Sequence, residues 1–183
     1  MSGSRSTVSV LTPSLASREL LLSECRASVE AQTVPVEHLV LVDELREGPQ
    51  VMRNRLATSS ESEWLLPLDD DDLLDPDCVE TLLAFAGDAD IVYPFCRVEG
   101  RDDFYVVNKL WNERSLFLGP YIPMTALIRR DFFEMLGGYR KVQLEDYDFY
   151  KRAALHGGRF VCVPEVLWSY RFLGQNTYQG MAA

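Results

Sequence analysis

A chain of 183 residues, 47% hydrophobic and 25% charged, has the apolar content of one packed domain and little length for a second. That composition excludes a disordered chain. Its 18 Lys and Arg against 28 Asp and Glu give a net charge of −10 and a pI near 4.7, which disfavours general attraction to nucleic-acid phosphates or anionic lipid.

The longest apolar runs, Val8-Ser9-Val10-Leu11 and His38-Leu39-Val40-Leu41-Val42, fall far short of the roughly 20 residues that span a bilayer, and residues 1–6 lack a signal peptide's apolar core. A soluble, cytoplasmic protein without a membrane span is expected. Cys25, Cys78, Cys96 and Cys162 are scattered through apolar or helical stretches with no close pairing, and buried reduced thiols are expected.

In chain order, residues 7–12 form a β-branched run closed by Pro13, and Leu20, Leu21, Cys25 and Val29 then recur at near-helical spacing over residues 17–32. Residues 36–43 are a near-continuous apolar run, the pattern of a parallel strand covered on both faces. Pro49 opens a helix to about residue 59, residues 64–68 are a third strand, and Pro76 sits in the first turn of a helix reaching residue 85. Residues 90–94 are a fourth strand. This alternation predicts a doubly wound, mostly parallel α/β sheet, with ligands at the carboxyl ends of its strands. Residues 97–111 read as a strand or hairpin leaving that sheet, giving a small antiparallel extension. A strand over 122–128, helices over 130–136 and 144–156 stopped by glycine pairs, and strands over 160–163 and 166–171 follow, with a loose tail over 175–183. One domain spans 1–183, with its core at about 7–172.

Four adjacent carboxylates, Asp69-Asp70-Asp71-Asp72, directly follow an apolar strand. Packing like charges together is unfavourable unless a cation or several donors compensate, and the end of a central strand is where an α/β sheet holds its ligand. Hard oxygen donors of this kind suit Mg²⁺ or Mn²⁺ on a diphosphate. A calcium loop starting at Asp69 would need an oxygen ligand at Leu73 and glycine at Leu74, so that reading fails. An aspartyl-phosphate phosphatase with Asp69 as nucleophile is disfavoured, because such an acid pair usually follows the first strand and this one follows the third.

Ordered along the chain are Val8-Ser9-Val10-Leu11-Thr12-Pro13, Ala31-Gln32-Thr33, Leu41-Val42-Asp43, Arg53-Asn54-Arg55, Trp64 to Asp72 with Pro76, Gly137-Gly138-Tyr139 and Glu145-Asp146-Tyr147-Asp148-Phe149. Each is weak alone, and the ordered set resembles a family 2 glycosyltransferase of the GT-A fold over residues 7–172. The resemblance implies that Thr12, Pro13 and Ser14, with Asp43, cradle the nucleobase and that Arg53 approaches the nucleotide. It implies that Asp69, the first acid of an Asp-x-Asp motif, lies near the ribose with Asp70 beside it. Asp71 would then ligate a Mn²⁺ or Mg²⁺ on the diphosphate, and Asp146 would be the catalytic base of an inverting transfer. Such a base takes the proton of the acceptor hydroxyl, while the cation stabilises the leaving diphosphate.

The chain departs from the family pattern in two places. Asp43-Glu44-Leu45 stands where Asp-Asp-Gly-Ser is common, and Phe172-Leu173-Gly174-Gln175-Asn176 stands where a metal-binding histidine is frequent, which directs attention to Asn176. The expected function is metal-dependent, inverting transfer of a sugar from a nucleotide-sugar donor, a UDP-sugar first, to an acceptor hydroxyl. Glycan, lipid-linked saccharide, protein side chain and, less favoured, a modified DNA base all supply such a hydroxyl. The alternative is a catalytically silent nucleotide-sugar or glycan-binding module of the same fold. A nucleotidyltransferase would need a glycine-rich basic loop after the first strand, where Ser14-Leu15-Ala16-Ser17-Arg18 has no glycine.

Overall fold

The computed structural model describes residues 7–100, 105–107 and 109–173. Strand β1 (Val8–Ser14) is buried along its whole length, because strands flank it on both sides. A short 3₁₀ turn (Ala16–Arg18) leads into α1 (Glu19–Glu30), which buries Cys25 and Val29 and returns the chain to β2 (Glu37–Val42), parallel to β1. Helix α2 (Pro49–Ser59) starts at the expected proline and leads to β3 (Trp64–Pro67), parallel to β1 on its other side.

After the acidic run come β4 (Leu73–Leu74), α3 (Cys78–Ala84), the nine-residue β5 (Ile91–Glu99) and β6 (Tyr105–Val107), which pairs antiparallel with β5 as the expected hairpin. The chain continues through α4 (Glu113–Leu118), β7 (Leu127–Arg129), α5 (Arg130–Met135), α6 (Glu145–Leu155) and β8 (Phe160–Arg171). The sheet order is β2-β1-β3-β7-β5-β8-β4. Strands β1, β2, β3, β5 and β8 run one way, while β7 lies antiparallel between β3 and β5, and β4 and β6 are short antiparallel additions.

Successive residues of β3 enter opposite faces, as the pleat requires. Leu66 packs with Val8, Val10, Val29, Val79 and Leu82 under α1 and α3, and Leu65 packs with Leu56, Phe133, Phe149 and Phe160 under α2, α5 and α6. The result is a three-layer α/β sandwich whose parallel strands end along one edge.

Several expectations change in detail. The strand expected over 122–128 is three residues long and starts at Leu127; Pro123 has no amide hydrogen to give a ladder, and a turn closes from Ala126 N to Met124 O. Pro76 lies before α3, since residues 75–77 form a turn held by Asp75 N to Leu167 O and by the Gln32 side chain on Asp75 O and Val79 N. The last two expected strands are one, β8, whose Pro164 is absorbed by a register shift opposite Pro94 and Phe95. Cys162 is partly exposed, whereas the other three cysteines are buried. The tail, Phe104 and Asn176 lie outside the described residues.

Candidate active site

Parallel pairing sets Ser14 opposite Val42 and Leu11 opposite Pro67, so the loops after β1, β2 and β3 open side by side. Asp43 continues that pairing through its N–H to Ser14 O at 2.8 Å. Its carboxylate accepts from Glu47 N at 2.9 Å and Gly48 N at 2.8 Å, which folds the 44–48 loop over the end of β2 and holds the carboxyl below its ordinary range. Thr12 turns away beneath the sheet, its hydroxyl 2.9 Å from His38 Nε2, and Pro13 is buried within the strand. Ser14 points forward and donates to Asp70 at 2.6 Å.

Three arginines hold the four acids of the run. Asp69 pairs with Arg53, Asp70 and Asp71 both pair with Arg18, and Asp72 accepts from Arg171 N at 2.9 Å. Arg171 also donates to the Asp71 carbonyl and pairs with Glu24, tying the end of β8 across the run. Burial raises the carboxyls of Asp70, Asp71 and Asp72, most strongly Asp72. The neighbouring charges of Asp69 and Asp71 add to that rise for Asp72, as Asp69 does for Asp71, while Arg18 opposes it at Asp70 and Asp71. One oxygen each from Asp69, Asp71 and Asp72 lie within 4.8 Å of one another. Three hard, mutually repelling carboxylate oxygens at that spacing fit Mg²⁺ or Mn²⁺.

Arg53 joins this run to the second acidic cluster. It is 2% exposed, and it donates to Asp69 and, at 2.8 Å, to Glu145. Next to Arg53, the Asn54 amide donates to Tyr139 O at 2.8 Å and accepts from Tyr139 N at 2.9 Å. That clamp explains the glycine before the tyrosine: Gly138 has φ +67, and an added Cβ would lie 2.5 Å from Asn54 Oδ1. Arg152 supports the same turn from α6, donating to Leu136 O and Gly138 O.

Helix α6 begins with Glu145, Asp146 and Asp148 in its first turn, where the helix dipole favours anions. Glu145 pairs with Arg53 and Asp148 with Arg152. Among the described residues no Lys or Arg pairs with Asp146, which accepts only from the next backbone N–H, Tyr147 N, at 2.8 Å. Burial therefore wins, and its carboxyl is pushed up to about 6. Leu144, just before it, sits in the left-handed region at φ 59, a conformation costly for a residue with a Cβ.

Sequence reasoning did not assign Arg18 to the site, pair Glu145 with Arg53, or add Asp72 to the oxygen cluster, because each rests on contacts that only the fold makes. Aromatic side chains near the site serve packing: Trp168 and Tyr139 are buried, and Trp111 stacks on Phe160 at 4.1 Å.

The family model described as "Glycosyl transferase family 2" matches residues 39–139, from β2 to the Gly138-Tyr139 turn. The chain belongs to glycosyl transferase family 2. No curated protein matches it significantly in sequence. Among solved structures, this family 2 chain is similar to residues 1–349 of TarS from S. aureus. In the complex with UDP the identity is 18% and the TM-score 0.75, covering 91% of this chain and 60% of that one. In the complex with UDP-GlcNAc the identity is 18% and the TM-score 0.76, covering 93% and 60%. The chain thus spans about 60% of the length of those structures, and at that identity the likeness concerns the fold. Among the described residues no helix of this family 2 domain is long and apolar enough to cross a membrane.

Proposed function

We propose that the protein transfers a sugar from a nucleotide-sugar donor, a UDP-sugar, to an acceptor hydroxyl with inversion at the sugar carbon. The observation that carries this reading is the division of labour among three neighbouring acids: Glu145 and Asp148 are each held by an arginine, and Asp146 is left basic, with no ion pair among the described residues. A carboxylate near pKa 6 is nearly all ionised at neutral pH, yet it is a better proton acceptor than an ordinary aspartate. Asp146 takes the acceptor's proton, and the Arg53 bridge fixes the helix that carries it relative to Asp69. Asp69, Asp71 and Asp72 would hold Mn²⁺ or Mg²⁺, whose chemistry when bound is to neutralise the charge building on the leaving diphosphate. Asp43 shapes the loop beside the base site, with Ser14 at its floor. The choice of a UDP-sugar is supported by the UDP and UDP-GlcNAc carried by the similarly folded TarS structures.

The test is release of UDP from UDP-GlcNAc in Mn²⁺, with water standing in for the acceptor, in wild type and Asp146→Asn. The expected result is a fall in turnover of about 10² or more, with UDP affinity unchanged. Equal release by both proteins would take Asp146 out of the base role, and no release by either with any donor would make the domain a nucleotide-sugar-binding module instead.

A further inference from the structure

Arg18 places a positive charge where a bound cation would. It ends the 3₁₀ turn after β1, with Nε 2.9 Å from Asp70 and a terminal nitrogen on Asp71. One guanidinium therefore neutralises two buried acids that repel each other and Asp69. The other arginines of the site are committed differently. Arg53 is enclosed between Asp69 and Glu145, and Arg171 straps the Asp71 carbonyl to Glu24. The Arg18 side chain is 32% exposed against 3% for Arg53, so it has solvent to swing into.

Asp71 belongs both to the Arg18 pair and to the oxygen cluster with Asp69 and Asp72. A guanidinium and a divalent ion on one carboxylate repel strongly at such short range. We propose that Arg18 is an exchangeable counter-ion: a divalent cation reaches Asp71 by displacing it, and the released guanidinium turns to the nucleotide's diphosphate, so that Arg18 couples cation binding to nucleotide binding. This rests on the metal-and-nucleotide reading above and adds an order to it. The cation alone must break the Arg18 pairs and binds weakly, whereas cation and diphosphate together give every charge a partner. An arginine suits the second role, since its fork matches phosphate oxygens as well as carboxylates.

The experiment titrates Mn²⁺, followed by the electron-paramagnetic-resonance signal of the free ion, into wild type, Arg18→Gln and Arg18→Lys, without and with saturating UDP. Thermal melts establish that each variant is folded. In Arg18→Gln, Mn²⁺ alone binds about tenfold tighter than in wild type, and the factor by which UDP improves Mn²⁺ binding shrinks by a similar amount. Arg18→Lys, a point charge that does not grip both carboxylates, gives a smaller tightening and serves if the glutamine variant does not fold. Unchanged or weaker binding of Mn²⁺ alone in the folded variants overturns the exchange, because a merely structural arginine would loosen the acids on removal. If wild type binds Mn²⁺ neither alone nor with UDP, the metal reading itself falls and the exchange with it. Wild-type binding with no tightening in the variants removes the exchange alone.

Discussion

Asp146→Asn offers a test in which stability and activity move in opposite directions. The carboxyl rises from an ordinary 3.8 to about 6 because it is largely desolvated, with the charge of Glu145 adding to the rise and that of Arg53 only partly offsetting it. At about 1.4 kcal/mol for each tenfold change in proton affinity, keeping that group ionised costs the fold about 3 kcal/mol at pH 8. Below pH 3.8 the carboxyl is protonated whether the chain is folded or not, so wild type and the isosteric amide differ little. Between pH 3.8 and about 6 the unfolded chain ionises while the folded one keeps its proton, so wild type loses stability relative to the variant across that window and the loss is complete once both states are ionised. Urea denaturation at pH 4 and pH 8 reads this directly: a small gap at pH 4, and at pH 8 a variant more stable by about 2–3 kcal/mol. In the same variant, turnover falls by about 10² or more, and in wild type kcat/KM rises as pH passes 6. A variant less stable than wild type at pH 8, or a gap independent of pH, would refute the reasoning and make Asp146 a structural acid.

Removing the buried bridge by Arg53→Met leaves Asp69 and Glu145 uncompensated. A loss of about 2–4 kcal/mol is expected by denaturation, lower than for a fully enclosed pair because the Asp69 side chain keeps 37% of its exposure; an unchanged midpoint would show that the bridge does not hold the two clusters together. Gly138→Ala forces a Cβ onto Asn54 in left-handed backbone and breaks the clamp on Tyr139, which should cost about 2–4 kcal/mol, whereas a stability within 0.5 kcal/mol of wild type, about the spread of neutral surface changes, would contradict it. Asp43→Ala frees the 44–48 loop from its two backbone bonds and weakens UDP binding about tenfold by calorimetry; unchanged affinity would take Asp43 out of the site.

The parallel half of the fold was legible because its signals are local. The apolar runs at β1, β2 and β3, and proline at the start of α2, each mark an element without reference to the rest of the chain. The position of β7 between β3 and β5 was not legible, since three residues carry no periodicity and their place is set by partners at Trp64 and Ile91. The six-residue α4 likewise hid inside an irregular segment, although Asn112 caps it by accepting from Ser115 N. At the site, the acids stood out as a run of like charge that demands compensation. What compensates them comes from Arg18, Arg53 and Arg171, which only folding brings to one edge of the sheet.

The most direct test of a metal-bridged nucleotide site is the melting temperature of the protein with UDP in Mn²⁺ and in EDTA. At about 100 times the dissociation constant, binding adds about 2.7 kcal/mol, which for a chain of this size raises the melting temperature by about 5–10 °C. The account predicts that rise in Mn²⁺, a much smaller one in EDTA, and loss of the difference in Asp71→Asn. Equal rises in Mn²⁺ and EDTA would contradict it.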